Sequence, residues 1–466
     1  MTNDIVATLE RLLGPGAVLT GAAAARYHVD FSHENACAPL AVVRPASTED
    51  VAAVLRECHL ARQPVVVQGG LTGLAGGATP QRGEVAISLE RLVGIEELDR
   101  AAHTMTVRAG TPLQTVQQTA ADAGFLFPLD LGARGSCTIG GNIATNAGGN
   151  QVIRFGMMRN LVLGLEAVLA DGTVVSSMGK MLKNNAGYDL KQLFIGTEGT
   201  LGIVTRAVLR LWPKLPAKVT ALCALRDLDS AIALLHRLQA LGGSLSAFEA
   251  MWASYFHYVL EHMPALASPF AERHPLYVLA EIEGTDDAVE RERLERALEA
   301  ALAAGEIVDA AVAQSEREIR NFWSIRDAIG EVTPTLQPML GFDISLPLDS
   351  MNDFLASLDA ELERFPVPVT NLVFGHIGDN NLHHAITTHS ARDLGVLCDL
   401  VYAAVGAHGG SVSAEHGVGT LRRKYLHHSR SSAELELMSR LKTALDPHGI
   451  LNPNRVLPAD ARQSTR

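Results

Sequence analysis

The sequence has few cysteines, and they follow no recognisable pattern. No two of them form a C-x-x-C pair. This spacing argues against a disulfide framework and against an iron–sulfur cluster held by this chain. Free thiols fit a reducing compartment best, so we expect a cytoplasmic protein and leave open peripheral attachment to the inner membrane. The five cysteines are Cys37, Cys58, Cys137, Cys223 and Cys398.

Long apolar runs and an excess of positive charge are missing as well. No stretch approaches the roughly 18 uninterrupted apolar residues of a transmembrane helix. Residues 1–13 lack the basic-then-apolar pattern of a signal peptide. Acidic residues outnumber Lys and Arg by 51 to 39, and the resulting net charge of −12 repels nucleic acid. Hydrophobic residues make up 47% of the chain, which excludes a disordered protein.

The N-terminal half has the order of elements of an α/β structure. Ser47 and Asp50 form a capping signature, and the apolar spacing that follows predicts a helix over 47–61. A short buried strand at 65–67 leads directly into a glycine-rich loop at 68–77. Residues 165–175 are typical of a β-hairpin around an Asp-Gly turn.

The pattern changes near residue 216, where we place the start of a second domain. Alternating apolar segments there predict a β-α-β-β-α-β unit. Its strands are expected at 219–224, 245–250, 276–283 and 307–313, and its helices at 227–241 and 286–304.

Three glycine-rich loops fall within residues 68–202: 68–77, 135–149 and 196–202. Glycine lets a ligand approach the backbone, and successive N–H groups can then bind an anion such as pyrophosphate. No G-x-G-x-x-G follows a strand and no phosphate-binding P-loop is present, so neither nucleotide fold has its signature. One loop alone would indicate a turn, but three favour a large cofactor.

Two histidines and a glutamate form a candidate metal site. His376 and His383 flank a glycine-containing turn, and Glu415 follows a strand-like segment. Two imidazoles and one carboxylate match the ligands of a catalytic zinc, although other divalent metals also fit. Since the chain has 17 histidines, ordinary structural roles stay open, and a zinc hydrolase is one alternative function. Arg326 is a candidate clamp for a carboxylate, or else a surface ion pair with a helical neighbour.

From about residue 27 to 457 the chain resembles the FAD-dependent D-2-hydroxy-acid dehydrogenases of the vanillyl-alcohol-oxidase type. This group includes D-2-hydroxyglutarate and D-lactate dehydrogenases and the glycolate oxidase flavoprotein subunit. Five ordered motifs carry the resemblance: residues 136–142, 196–202, 375–383, 411–419 and 451–453.

The resemblance implies an α+β fold with three parts. They are a two-subdomain PCMH-type (p-cresol methylhydroxylase) FAD-binding domain at 1–215, a ferredoxin-like cap with the metal site at 216–430, and a C-terminal segment at 431–466 returning to the FAD domain. The first loop lacks the histidine to which some relatives attach flavin, so we expect non-covalent FAD. The implied FAD-binding residues are Gly69, Gly70, Thr72, Gly73, Asp130, Ser136, Thr138, Gly140, Gly141, Asn142, Thr145, Asn146, Glu198, Gly199, Gly202, Ile203 and Asn452.

The resemblance also implies the chemistry. His376, His383 and Glu415 would hold a divalent metal, usually zinc, that chelates the substrate. His416 would take the hydroxyl proton while the Cα hydride passes to N5 of FAD. Substrate binding would fall to Arg326 and His384.

Three positions depart from the relatives that are specific for hydroxyglutarate. Those relatives tend to have Thr, Lys and Asn where this chain has Gly330, Gly341 and Ala385. D-lactate-like and D-2-hydroxyglutarate-like substrates therefore both stay open. Without iron–sulfur ligands, electrons must pass to an electron-transfer flavoprotein, a quinone or a cytochrome. A flavoprotein subunit of a larger complex and a homodimer also stay open.

Overall fold

The computed structural model describes residues 2–388 and 390–457. Its α-helices are α1 (Thr2–Leu13), α2 (Thr48–Leu60), α3 (Leu113–Asp122), α4 (Ile139–Thr145), α5 (Val152–Phe155), α6 (Met158–Leu161), α7 (Leu228–Gln239), α8 (Ala253–His262), α9 (Asp287–Ala303), α10 (Glu316–Asp327), α11 (Ile329–Val332), α12 (Leu348–Glu363), α13 (Leu394–Ala407) and α14 (Ser432–Leu445). Its β-strands are β1 (Val18–Leu19), β2 (Ala41–Val43), β3 (Val65–Gln68), β4 (Val85–Ser88), β5 (Ile95–Asp99), β6 (Thr104–Arg108), β7 (Phe125–Leu126), β8 (Val162–Val168), β9 (Val174–Ser177), β10 (Ile203–Arg210), β11 (Trp212–Pro213), β12 (Ala217–Leu225), β13 (Leu245–Trp252), β14 (Leu276–Gly284), β15 (Asp309–Val312), β16 (Met339–Ser345), β17 (Val369–Gly375) and β18 (Asn381–Thr388).

The chain divides into two compact units. The first unit comprises Met1–Gly149, Gly156–Lys214 and Glu415–Arg466, and the second comprises Asn150–Phe155 and Leu215–Ala414. The chain thus returns to the first unit at Glu415, whereas the sequence prediction put the return at 431. The reason is local, because the N–H groups of Val418 and Gly419 donate to the Glu198 carboxylate in the first unit.

The first unit begins with a sheet of strand order β1-β2-β4-β3, in which β2, β4 and β3 run parallel. Helix α2 connects β2 to β3. Its first turn is capped as predicted, since Ser47 Oγ accepts the N–H of Asp50 at 3.1 Å. The predicted apolar face of α2 is buried, which anchors β3 and therefore the start of the first glycine loop. Its members are Val51, Val54, Leu55 and Cys58.

The rest of the first unit is built on an antiparallel sheet of order β5-β6-β10-β8-β9. The predicted hairpin is present as β8 and β9, which pair from Leu165↔Ser177 to Val168↔Val174. A two-strand ladder joins β7 to β11. These strands hold the second and third glycine loops at their ends.

The second unit is a seven-stranded antiparallel sheet of order β15-β12-β14-β13-β17-β18-β16. Its first four strands, with α7 and α9, are the predicted β-α-β-β-α-β unit. One face of the sheet is covered by α8 and α10, and their aromatic side chains pack with residues of β13, β14 and β17. None of the described helices is both long and apolar enough to cross a bilayer.

Candidate active site

The loop after β3 turns its carbonyl groups toward the protein. The Leu71 oxygen accepts from the N–H of Phe31 at 2.9 Å, and the Ala75 oxygen accepts from the N–H of Thr420 at 3.0 Å. In contrast, no backbone N–H from Gly69 to Gly77 donates to a residue that the structure describes. Such a run of unbonded N–H groups is a site for an anion.

Two glycines of this loop are needed for its contact with the second loop. A Cβ atom at Gly70 would lie 1.9 Å from the carbonyl oxygen of Ser136. One at Gly69 would lie 2.5 Å from Oγ1 of Thr138. The first two glycine loops therefore meet backbone to backbone, and only glycine permits that approach.

The second loop leads into the short helix α4. Its N-cap is Thr138, whose Oγ1 accepts the N–H of Gly141 at 3.4 Å. Gly140 packs on the preceding strand connection, where an added Cβ would lie 2.7 Å from Cβ of Ala109. The helix ends at Asn146, which has a left-handed backbone conformation.

The other predicted cofactor residues in and before this loop differ in exposure and in their hydrogen-bond partners. Asn142 is buried and its amide lies 3.7 Å from Sγ of Cys137. Thr145 donates its hydroxyl to the carbonyl of Gly141 at 3.1 Å. Ser136 is exposed. Asp130, ahead of the loop, forms a backbone bridge with Gly149 and a 3.4 Å ion pair with Arg134.

The third loop is tied to α4 through its backbone. The Gly196 N–H donates to Ile143 O at 3.0 Å, and the Glu198 N–H donates to Ala144 O at 2.8 Å. The Glu198 carboxylate accepts from the N–H groups of Val418 and Gly419 at 2.7 and 2.9 Å. Burial raises the pKa of Glu198, against the effect of these two donors.

Other predicted residues of the first unit have simpler surroundings. Gly202 packs on a ring, since a Cβ there would lie 2.8 Å from Cε1 of Phe194. Ile203 begins β10 and is buried. Thr72 is partly exposed in the first loop, and an added Cβ at Gly73 would meet only Asp30 Oδ2, at 3.6 Å.

Asn452 connects three segments of the first unit. Its Oδ1 accepts the N–H of Val67 at 2.8 Å, and its Nδ2 donates to the carbonyl of Glu198 at 2.5 Å. Its own N–H donates to Val65 O at 2.9 Å. A Cβ at Gly199 would lie 3.0 Å from the same amide nitrogen. Asn452 thus fixes the first and third glycine loops against the C-terminal segment.

Sequence reasoning missed a buried ion pair beside these loops. Arg455 is fully buried and binds Glu84 with both ends of its guanidinium, at 2.5 and 2.8 Å. It also donates to the carbonyl groups of Gly77 and Thr79. The only signal in the sequence was a charged residue, Arg455, close to the C-terminal motif at 451–453.

Arg326 lies in the second unit, near the end of α10, and is buried. Its Nε donates to Oε2 of Glu249 at 2.8 Å, and its Nη2 lies 2.9 Å from Nε2 of His376. The other oxygen of Glu249, Oε1, lies 2.8 Å from Nδ1 of His376. Nη1 of Arg326 also donates to Oδ1 of Asp327, the next residue of α10, at 3.2 Å. The ion pair with a helical neighbour is therefore present, but Arg326 is buried and pairs with Glu249 on β13 as well.

Arg326 and Glu249 each favour the charged form in this buried pair. Burial opposes ionisation, but the neighbouring charges outweigh it. They raise the pKa of Arg326 and lower the pKa of Glu249. The sequence analysis did not single out Glu249, because an apolar strand gives no signal for one embedded carboxylate.

His383 lies beside His376 on the same face of the sheet. The two ring centroids are 5.3 Å apart. Nδ1 of His383 lies 3.8 Å from Oδ1 of Asp343, which is its cross-strand partner on β16. Asn381 donates to the same oxygen at 3.0 Å. Each imidazole thus has a buried carboxylate next to its Nδ1 atom.

His384 was predicted to bind substrate, but the structure does not bring it together with His376 and His383. Successive residues of a strand point to opposite faces, so His384 lies on the face away from His376 and His383. It packs against Phe354 of α12, and its Nδ1–H donates to Oδ1 of Asn371 at 3.0 Å. Complete burial lowers the pKa of His384 to about 3.

Glu415 and His416 follow directly on the second unit. The N–H of Ala414 donates to the carbonyl of Asp343 at 3.2 Å, and Glu415 is attached to Ala414 by one peptide bond. Within the first unit, Glu415 Oε1 accepts the N–H of Gly149 at 2.5 Å. His416 precedes Gly417, whose positive φ and contact with Glu198 require glycine.

Two protein-family models match the chain. Residues 39–177 match the FAD binding domain family, and residues 214–456 match the family of FAD linked oxidases, C-terminal domain. Mitochondrial D-2-hydroxyglutarate dehydrogenase of Bos taurus is 40% identical over 99% of this chain and 85% of its own length. The D-2-hydroxyglutarate dehydrogenase of Stutzerimonas stutzeri is 38% identical over 98% of this chain and 99% of its own.

Solved structures show the same fold at low sequence identity. Substrate-bound p-cresol methylhydroxylase matches with a TM-score of 0.78 and 17% identity, over 98% of this chain and 97% of that one. The 4-ethylphenol oxidase of Gulosibacter chungangensis matches with a TM-score of 0.75 and 17% identity, over 99% of this chain and 98% of that one. The predicted α+β, PCMH-type architecture and the predicted family are thus confirmed. The chain belongs to the FAD-linked oxidase family and is an FAD-dependent oxidoreductase.

Proposed function

We propose that this protein oxidises a D-2-hydroxy acid to the 2-oxo acid, with non-covalent FAD and a divalent cation, zinc by preference. The observation that carries the proposal is the run of unbonded N–H groups from Gly69 to Gly77, fixed to the third loop by Asn452. This cradle suits the pyrophosphate of FAD. FAD supplies the hydride acceptor when bound.

The proposed cation ligands are His376, His383 and Glu415. Each offers one nitrogen or oxygen of the kind that zinc takes. Metal-binding histidines commonly donate their other N–H to a carboxylate. Glu249 provides such a partner for His376 at 2.8 Å, and Asp343 lies 3.8 Å from Nδ1 of His383. The cation would act as a Lewis acid when bound.

The chain's own residues have separate roles in this proposal. Arg326 binds the substrate carboxylate through its terminal guanidinium nitrogens, which in this structure contact Asp327 and His376. His416 accepts the hydroxyl proton on an imidazole nitrogen as the Cα–H bond breaks. His384, because it faces the other side of the sheet, has no role.

The surroundings of His383 favour a substrate without a second carboxylate. The next cross-strand pair on this face is Gly341 and Ala385, which offers no hydrogen-bond donor. Gly330 has no atom within 4 Å of an added Cβ, and Gly341 has only Cε of Met339, at 3.8 Å. The relatives reported above are named D-2-hydroxyglutarate dehydrogenases. The surface formed by Gly341 and Ala385 nevertheless suits a short, D-lactate-like side chain better.

A substrate panel tests the proposal. We expect turnover with D-lactate and its longer uncharged homologues, and none with the L-enantiomers, in an assay with a dye acceptor. D-2-Hydroxyglutarate should have a kcat/KM at least about tenfold lower, because one unmade charged hydrogen bond costs about 1.5–3 kcal/mol. The variant Gly341→Lys should raise kcat/KM for D-2-hydroxyglutarate relative to that for D-lactate, since the lysine side chain has room at this position. Wild-type preference for D-2-hydroxyglutarate would contradict the substrate class, and inactivity on every hydroxy acid would contradict the function.

We also propose that electrons leave to a separate acceptor, an electron-transfer flavoprotein, a quinone or a cytochrome. The described cysteines form no disulfide, and the sequence has no C-x-x-C pair to ligate an iron–sulfur cluster, which supports an external route. A subunit role in a larger complex is compatible with it. The zinc-hydrolase alternative leaves the FAD-binding family unexplained, and we do not retain it.

A further inference from the structure

We propose that Glu249 is a positioning residue that fixes both His376 and Arg326 for their roles. The inference rests on the proposed function, since it concerns the cation ligand and the substrate clamp of the same site. Glu249 lies on β13 with 1% of its surface exposed. Each of its oxygens has a different partner at 2.8 Å, Oε1 with His376 and Oε2 with Arg326.

The first consequence concerns the tautomer of His376. A carboxylate only accepts hydrogen bonds, so Nδ1 of His376 must carry the proton that Glu249 binds. The lone pair of the neutral ring is then on Nε2, which accepts from Nη2 of Arg326 at 2.9 Å, and a cation would take the place of that donor. Without the carboxylate, both tautomers become accessible and the ring loses its fixed orientation.

The second consequence concerns the orientation of Arg326. Because Nε is bound to Glu249, the plane of the guanidinium cannot rotate freely. The hydroxyl of Tyr255 on α8 donates to the carbonyl of Arg326 at 2.7 Å and so joins the end of α10 to α8. The terminal nitrogens are thereby fixed in position, with Nη1 3.2 Å from Oδ1 of Asp327 and Nη2 2.9 Å from Nε2 of His376. A substrate carboxylate that replaces these contacts can bind both nitrogens.

The third consequence concerns charge. Arg326 lies 2.9 Å from the atom of His376 that would bind a cation. Glu249 provides the buried negative charge that lets a guanidinium and a divalent cation share one face of the sheet. Breaking a buried pair by removing one member leaves an uncompensated charge.

The chain offers a matched control on the neighbouring strand. Glu281 lies on β14, is 2% exposed and also contacts α10, through the Nε1–H of Trp323 at 3.0 Å. Its other partners are Thr220 and Lys218. Glu281 is therefore nearly as buried as Glu249, but its hydrogen-bond and ion-pair partners are different side chains.

The experiment compares Glu249→Gln with Glu281→Gln in the FAD-loaded full chain. A glutamine amide has one acceptor and one donor end, so it can accept a hydrogen bond from His376 or from Arg326 but not from both, and it no longer fixes the His376 tautomer. After metal removal, we expect zinc to bind Glu249→Gln about 10- to 100-fold more weakly by chelator competition, with a raised KM for the hydroxy acid. The visible spectrum of bound cobalt(II) should change as well. Glu281→Gln should match the wild type in all three measurements.

The double variant Glu249→Gln/Arg326→Gln covers the case in which the single variant does not fold. It removes the unpaired buried charge, and zinc should still bind more weakly than to Arg326→Gln alone. Unchanged zinc affinity and KM in Glu249→Gln would overturn the inference, as would equal losses in Glu281→Gln. If the wild-type protein itself binds no zinc, the metal half of the proposed function fails, and the inference fails with it.

Discussion

Replacing His416 with alanine is expected to slow flavin reduction by the hydroxy acid about 10²- to 10⁴-fold, the usual contribution of a general base. FAD content should not change. The loop that carries His416 is held through backbone groups, with the N–H groups of Val418 and Gly419 bound to Glu198. The imidazole contributes nothing to those bonds, so its removal should take away the proton acceptor and leave the cofactor site intact. The measurement is anaerobic stopped-flow reduction together with the visible spectrum of the purified variant.

His427→Ala is the matched control for this experiment. His427 is exposed and lies in the same C-terminal part of the first unit. It should reduce its flavin at the wild-type rate. A wild-type rate in His416→Ala would remove the assigned base, and a loss of FAD from that variant would show a structural role instead.

Removal of the divalent cation is expected to have the second large effect. Dialysis against a chelator should lower the rate of substrate oxidation at least about 100-fold, since Lewis-acid stabilisation is worth several kcal/mol and about 1.4 kcal/mol corresponds to a factor of ten. The flavin should stay bound, because the glycine loops that would bind it belong to the first unit. Zinc should restore the rate, and metal analysis should find one bound cation per chain.

His383→Gln provides the internal control for metal removal. It should reproduce the chelated state without dialysis, and added zinc should not rescue it. Full activity of the metal-free wild-type protein would refute a catalytic cation and leave His376 and His383 as structural residues.

The elements that follow from local periodicity could be predicted from the sequence. Helix α2 and its Ser47 cap, the hairpin of β8 and β9, and the β-α-β-β-α-β unit were all predicted. So was the need for glycine at Gly69 and Gly70, although the spacing gave no indication that the two loops meet there. Local sequence determines caps and turns, whereas contacts between distant segments depend on the whole fold.

The residues that could not be predicted are buried charges and face assignments. Glu249, Glu84 and Arg455 are single charged residues in apolar surroundings, and only the folded chain shows that each has a partner. The prediction for His384 did not take into account that adjacent residues on a strand point to opposite faces. The sequence His383-His384 does not indicate which of them lies on the side of His376.

The proposed oxidation is tested most directly by anaerobic mixing of the FAD-loaded protein with D-lactate, with and without deuterium at Cα. We predict that the visible flavin band bleaches, that pyruvate forms mole for mole with reduced flavin, and that deuterium slows the bleaching. L-Lactate should leave the band unchanged. A band that persists with every D-2-hydroxy acid, or that bleaches equally with both enantiomers, would contradict the account.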